Sequence, residues 1–248
     1  MKLLDLFSGI GGFSLGLERA GFETIAFCEI EEFPRKVLAK HWPNAPIAKD
    51  IKKLTYKDGV LYDDGIEIYR GAIDAICGGF PCQPHSFSGQ RLASADPRDL
   101  WPEYARLVRE IRPQWVIAEN VLGLLSSESG RYFTRILWSL SAVGYDAEWF
   151  NIPGGAVGCP HLRPRIWLVA YPNETQLQGG GVSGRIYKEY ANTGYTRRGK
   201  DQPRVERVAN GIPSQMDRLG ALGNAVVPQI PGIIGRAIMS LHEQNNGL

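Results

Sequence analysis

Short apolar runs alternate with segments of helical period along most of this 248-residue chain, and that alternation confines it to an α/β fold with a mostly parallel sheet. Lys2 to Phe7 reads as a strand. It meets a Gly-rich turn, Ser8-Gly9-Ile10-Gly11-Gly12, and then a helix-like stretch, Phe13 to Ala20, that stops at Gly21. Glu23 to Cys28 reads as the second strand, residues 32 to 41 as the next helix, and Asp50-Ile51 follows a third strand. Between Tyr56 and Tyr69, the turn signals Asp58-Gly59 and Asp64-Gly65 mark an inserted β-excursion with no evident chemistry. The buried-strand pattern Ile73-Asp74-Ala75-Ile76-Cys77 empties into a loop. Leu100, Tyr104, Leu107, Val108 and Ile111 share one helix face, which Pro113 ends. Trp115 to Ala118 is the next strand, closing on Glu119-Asn120-Val121. Phe133, Ile136, Leu137 and Leu140 mark another helix, and Glu148 to Ile152 and Ile166 to Tyr171 are two more strands.

At Pro172 the texture changes. Residues 172 to 216 carry Gly179-Gly180-Gly181, scattered Asn, Gln and Thr, and almost no apolar periodicity, while basic residues outnumber acidic ones. By composition this is either a solvated loop or a basic segment that contacts phosphate and base edges, with Arg197 and Arg198 as the candidate contacts. Order returns at Leu219 to Leu222, continues through Gly223-Asn224-Ala225-Val226-Val227-Pro228, and ends in a helix from about Pro231 to His242.

Charge excludes one easy inference. Against 28 basic residues stand 26 acidic ones, a net +2, so any nucleic-acid face must be local. Cys28, Cys77, Cys82 and Cys159 form no C-x-x-C pair and have no zinc-site spacing. No run approaches the roughly 18 apolar residues of a membrane span, and Met1-Lys2-Leu3-Leu4-Asp5 lacks a signal-peptide core. The expectation is a soluble cytoplasmic protein with free thiols, no metal and no membrane partner.

The chemistry concentrates in loops that follow strands, where open α/β sheets place ligands. Gly78-Gly79-Phe80-Pro81-Cys82-Gln83-Pro84 holds a thiol between prolines and glycines, a candidate nucleophile, although a cysteine taken alone reads more readily as a small buried hydrophobe. The turn after the first strand lets backbone approach a ligand closely. Glu29, ending the second strand, suits ribose hydroxyls, and Asp50, after the third, suits an adenine amino group. This array points to a nucleoside cofactor without separating NAD from S-adenosylmethionine, and the absence of G-x-x-x-x-G-K-[ST] argues against an NTPase. Glu119 is either a proton donor beside the thiol or a helix-cap acid. Arg163 and Arg165, at i and i+2, point to one side of an extended segment, there to bind a base oxygen or to form a sheet-edge ion pair.

Taken together these segments resemble the C5-cytosine DNA methyltransferases over residues 3 to 171 and 218 to 238. The motifs stand in the family's order: Asp5-Leu6-Phe7-Ser8-Gly9-Ile10-Gly11-Gly12-Phe13, Glu29, Asp50, Gly79-Phe80-Pro81-Cys82-Gln83-Pro84, Glu119-Asn120-Val121, Arg163-x-Arg165 and Gly223-Asn224-Ala225-Val226-Val227-Pro228. Each is short, but so many in order are not a chance arrangement.

The resemblance implies a doubly wound, Rossmann-like sheet in a catalytic domain of residues 1–171 and 218–248, with a short target-recognition region at 172–217. It implies S-adenosylmethionine as cofactor and S-adenosylhomocysteine as product. Phe7, Gly9, Gly11, Glu29, Ile30, Asp50, Ile51, Asn224 and Val226 would line that pocket. Cys82 would add to C6 of a cytosine flipped out of duplex DNA, Glu119 would protonate or hydrogen-bond N3 and the exocyclic amine, and Arg165, supported by Arg163, would hold O2. Gln83, Ser86, Ser88, Arg91 and Asn120 would shape the site or touch DNA. A monomer on double-stranded DNA is implied, with a cognate restriction endonuclease as a candidate partner.

Three departures stand out. His85 and His161 replace the Phe and Gln usual in the family, and the recognition region is short. An RNA-directed enzyme of the same fold and a non-catalytic nucleic-acid binder therefore stay open beside the DNA methyltransferase reading.

Overall fold

The computed structural model describes residues 1–81, 99–159, 162–175, 181–192 and 224–245. Its centre is a seven-stranded sheet of β1 (Lys2–Leu6), β2 (Glu23–Cys28), β3 (Ile47–Ala48), β7 (Ala75–Gly78), β8 (Trp115–Val121), β9 (Tyr145–Asn151) and β10 (Arg165–Pro172). Across the sheet the order is β3-β2-β1-β7-β8-β10-β9. The strands from β3 to β8 are mutually parallel, whereas β10 runs antiparallel to both β8 and β9. The chain winds outward in one direction from β1 and in the other from β7, so the two loops that leave β1 and β7 open a crevice between them.

Each face of the sheet has its own core, as expected of near-continuous apolar strands covered on both sides. Leu4, Leu6, Ile76, Val116 and Ala118 pack with α3 (Trp101–Ile111) and α4 (Arg131–Ser141). Leu3, Ala75, Cys77, Trp115 and Ile117 pack on the other face with α1 (Gly12–Glu18) and α6 (Gln229–Asn245). The remaining early helix, α2 (Glu32–His41), buries Pro34 and Leu38 beside β3. The expected β-excursion is an antiparallel three-stranded sheet, β4 (Leu54–Lys57), β5 (Val60–Asp63) and β6 (Ile66–Arg70). Its turns are made at Asp58-Gly59 and Asp64-Gly65, all four residues having positive φ.

Three expectations change. β8 continues through Val121, so Glu119 and Asn120 lie within a paired strand rather than after it. Part of the segment read as irregular is a helix, α5 (Gly181–Asn192), which buries Val182 and Ile186 and packs Tyr190 against the α1/α6 face. Those residues recur at i, i+4 and i+8, a helical stripe hidden by the flanking glycines and polar residues. Finally, Arg163 has φ +35, so the Arg163–Arg165 segment is not extended. Among the described residues no helix is long and apolar enough to cross a membrane.

Candidate active site

The loop after β1 turns sharply. Gly9 has φ +53, and nothing lies within 4 Å of where its Cβ would stand, so the backbone faces open space there. The turn is tied to the end of β2: Ser8 N–H donates to the Cys28 carbonyl at 3.1 Å, and Gly9 N–H donates to Glu29 Oε2 at 2.7 Å. Glu29 is 7% exposed, and its other oxygen accepts from Glu31 N–H at 2.8 Å. Ile30, between the two, is 68% exposed beside this turn. Phe7, with φ +52, stacks on Tyr104 of α3 with ring centroids 6.4 Å apart.

Asp50 stands at the far end of the same edge. One of its carboxylate oxygens accepts from Lys52 N–H at 3.0 Å and caps a 3-10 turn, Ile51–Lys53. The Ile51 side chain is buried in the core on the α3 face. Beyond the Gly-rich turn lies a cavity of about 290 Å³, lined among others by Gly11, Cys159, Arg163 and Val226. Asn224 is exposed two residues before Val226.

The second loop of the crevice leaves β7 through Gly78, Gly79, Phe80 and Pro81. Asn120, 2% exposed, donates from Nδ2 to the Phe80 carbonyl at 3.0 Å, while its Oδ1 accepts from Val121 N–H. Next to it, Glu119 pairs with Arg165, Oε1 to Nε at 3.0 Å. Sheet register explains the pair. Trp167 lies directly opposite Glu119, and Arg165 is two residues earlier on the same face of β10, so the two long side chains meet diagonally. Glu119 Oε2 would stand 3.1 Å from a Cβ on Gly79, so a side chain there would crowd the carboxyl.

Burial pushes the Glu119 carboxyl above the usual glutamate range, and the charges of Arg165 and Arg163 draw it partly back. A carboxyl so placed holds its proton more readily than a solvated glutamate and is anchored by a cation. Arg163 and Arg165 thus act on one carboxyl although their backbones diverge. Arg165 makes the ion pair, and Arg163 lines the cavity wall.

Of the expected site residues, the fold therefore gathers Gly9, Glu29 and Ile30 at one mouth of the crevice and Glu119, Asn120 and Arg165 at the other. Cys82, Gln83, Ser86, Ser88, Arg91, Arg197 and Arg198 lie outside the described residues, as do His85 and His161. Pro81, the residue before Cys82, is described and follows directly on the carbonyl that Asn120 holds. Among the described residues no His, Cys, Asp and Glu group has the arrangement of a metal site.

Two contributors stand outside the expected site residues. Asp5 is fully buried and accepts from Ser14 Oγ at 2.6 Å, joining β1 to the start of α1. Burial raises its carboxyl to about 7, although bonds from Ser14 and the Cys77 thiol oppose that shift. An acid inside an apolar strand, as in Leu3-Leu4-Asp5-Leu6, is the trace it left in the sequence. Arg106 of α3 donates to the Ile51 carbonyl at 3.0 Å, a contact across 55 positions that no local pattern announces.

Residues 1–210 match the family model described as C-5 cytosine-specific DNA methylase. Two relatives are each 36% identical over 175 residues: the Type II methyltransferase M.NgoMIV of Neisseria gonorrhoeae, with 69% of this chain and 52% of that protein covered, and M.Eco47II of Escherichia coli, with 69% and 40%. The chain thus spans about half or less of the length of these relatives. A DNA modification methyltransferase encoded within an Escherichia coli prophage superposes with a TM-score of 0.59 at 26% identity, over 75% of this chain and 54% of the other. The methyltransferase EhMeth of Entamoeba histolytica shares the fold over 99% of this chain and 98% of its own, with a TM-score of 0.62 at 15% identity.

Proposed function

Since the chain belongs to the C-5 cytosine-specific DNA methylase family, we propose that it transfers a methyl group from S-adenosylmethionine to C5 of a cytosine in duplex DNA. The observation that carries the reading is the partly buried Glu119–Arg165 pair, poised one strand away from the backbone that leads into Cys82.

The residues at the crevice fit the cofactor. An acid follows β2, another follows β3, and the open, left-handed Gly9 leaves room for a ligand against backbone. Glu29 is suited to the ribose hydroxyls and Asp50 to the adenine amino group. When bound, S-adenosylmethionine supplies an electrophilic methyl and departs as S-adenosylhomocysteine.

The chain's own residues prepare the base. C5 of cytosine is a poor nucleophile, and addition of the Cys82 thiolate to C6 makes it enamine-like. Glu119, whose carboxyl burial shifts toward its protonated form against the pull of the two arginines, delivers a proton or hydrogen bond to N3 as charge develops there. Arg165 then neutralises the carboxylate that remains and offers Nη2 to O2, its Nη1 donating to the Pro164 carbonyl at 3.0 Å. After C5 takes the methyl, the C5 proton leaves to a base, the Cys82–C6 bond breaks to restore the thiolate, and a proton taken up by N3 returns to the Glu119 carboxylate. The base must be flipped out of the duplex to reach Cys82.

By likeness to the Type II methyltransferases, the protein acts in the cytoplasm as a monomer in a restriction–modification setting, beside a cognate endonuclease. Residues 172–217 supply sequence recognition through the part beyond α5, where Arg197 and Arg198 stand.

The deciding test is transfer of labelled methyl to unmethylated duplex DNA, with a 5-fluorocytosine duplex as covalent trap and transfer RNA as a parallel substrate. Label in DNA and a trapped complex lost in Cys82→Ala is the expected result. Label in transfer RNA alone would move the substrate to RNA, and no label in either would leave a binder.

A further inference from the structure

The proposed adenine site stands on a weakly paired part of the sheet. β3 has two residues, paired to β2 only at Phe27–Ile47 and Cys28–Ala48, and Asp50 lies just beyond it. The chain then enters the inserted three-stranded sheet. Two backbone pairs and a short turn leave the position of the Asp50 carboxylate to be set from elsewhere.

It is set from α3. Arg106 donates from Nε to Glu103 Oε2 at 2.8 Å and from Nη1 to Glu110 Oε1 at 2.8 Å. Its remaining nitrogen, Nη2, donates to the Ile51 carbonyl at 3.0 Å. A guanidinium is a rigid planar fork, so two acids on its own helix fix its plane and aim the third nitrogen. Its side chain is 25% exposed, shielded enough for the aim to persist. Glu110 uses its second oxygen to accept from Tyr56 N–H at 3.0 Å, so α3 grips the segment at both Ile51 and Tyr56. Between these grips, Lys52 N–H fixes the Asp50 carboxylate.

We infer that Arg106 is a positioning residue for the cofactor's adenine ring, acting through the Ile51 carbonyl to hold Asp50 in register, a role that rests on the function proposed above. It touches no reacting atom. Its effect belongs in cofactor affinity and in discrimination at the 6-position of the purine, not in the chemical step.

The experiment compares binding of S-adenosylhomocysteine with that of S-inosylhomocysteine, in which an oxygen replaces the 6-amino group, to the full chain and to Arg106→Met, which keeps the aliphatic stem. The expected result is about tenfold weaker binding of the adenine compound by the variant, little change for the inosine compound, and a raised KM with kcat near that of the unchanged chain. Glu103→Gln with Glu110→Gln, which loosens the fork but leaves Arg106, should give a smaller shift of the same sign and decides the matter if Arg106→Met does not fold. Equal loss for both compounds, or no loss for either, would overturn the positioning role and leave the methyltransferase reading standing. Failure of the unchanged chain to bind either compound would overturn that reading, and this inference with it.

Discussion

The Asn120 carboxamide donates to the Phe80 carbonyl at 3.0 Å and so fixes the last stretch of backbone before Cys82 to strand β8. Because Asn120 and Glu119 are consecutive, one strand positions both the path of the nucleophile and the acid, on opposite faces of the sheet. Removing the carboxamide leaves a buried carbonyl unsatisfied, at a cost of about 1–3 kcal/mol. Asn120→Ala should lower kcat and formation of the 5-fluorocytosine adduct, while S-adenosylhomocysteine affinity, measured by calorimetry, stays within about twofold.

Glu119 tests the proton role. Glu119→Gln keeps the shape and should cost about 10²–10⁴-fold in kcat, the usual range for general acid–base groups. Burial raises the carboxyl despite Arg165 and Arg163, so activity that needs its protonated form should fall as pH rises through that raised value. Removing the nearest cation by Arg165→Ala should move this limb of the pH–rate profile to higher pH, because the carboxylate loses its main stabiliser. A limb that does not move would detach it from Glu119.

Asp5 governs a pH dependence of stability. Its folded carboxyl is raised to about 7 from an ordinary value of 3.8, so the unfolded chain gives up this proton first. Its contribution is fully present below pH 3.8 and is lost as pH rises toward 7. Asp5→Asn keeps an acceptor for Ser14 and should flatten this part of the denaturant-stability curve. An unchanged slope between those limits would place the titration elsewhere.

Glu148 of β9 accepts from Val182 N–H at 3.0 Å, Ser183 N–H at 2.9 Å and the Tyr171 hydroxyl at 2.9 Å, and so holds the first turn of α5. Burial alone would raise its carboxyl, but these bonds and the Ser183 hydroxyl outweigh it and hold the group below the usual range. The stability it contributes is present above the ordinary glutamate value and lost as pH falls through the lowered one. Glu148→Ala should destabilise the protein by about 1–2 kcal/mol, the size of a lost helix cap, and increase hydrogen exchange in α5 before the sheet.

The position of α5 also redirects the dissection of sequence recognition. Deleting residues 178 to 201 would remove Val182 and Ile186 from the α1/α6 face and lower global stability. Replacing Arg197 and Arg198 by alanine spares that core. This double variant should weaken DNA binding and flatten its dependence on log salt concentration while leaving the melting temperature near that of the unchanged chain.

Local patterns carried the alternation of strands and helices, the hairpin turns at Asp58-Gly59 and Asp64-Gly65, and the acids at Glu29 and Asp50, since period, turn chemistry and loop position are properties of neighbouring residues. The ordered motifs likewise fixed the family. Only the tertiary structure decided that β10 runs antiparallel beside β8, which brings Arg165 onto Glu119, that Arg163 takes a left-handed conformation, and that α5 packs on the α1/α6 face of the sheet. The same holds for Arg106 on Ile51 and Asn120 on Phe80, contacts that span 55 and 40 positions. Such pairings depend on strand order, register and packing against distant elements, quantities that no window of adjacent residues contains.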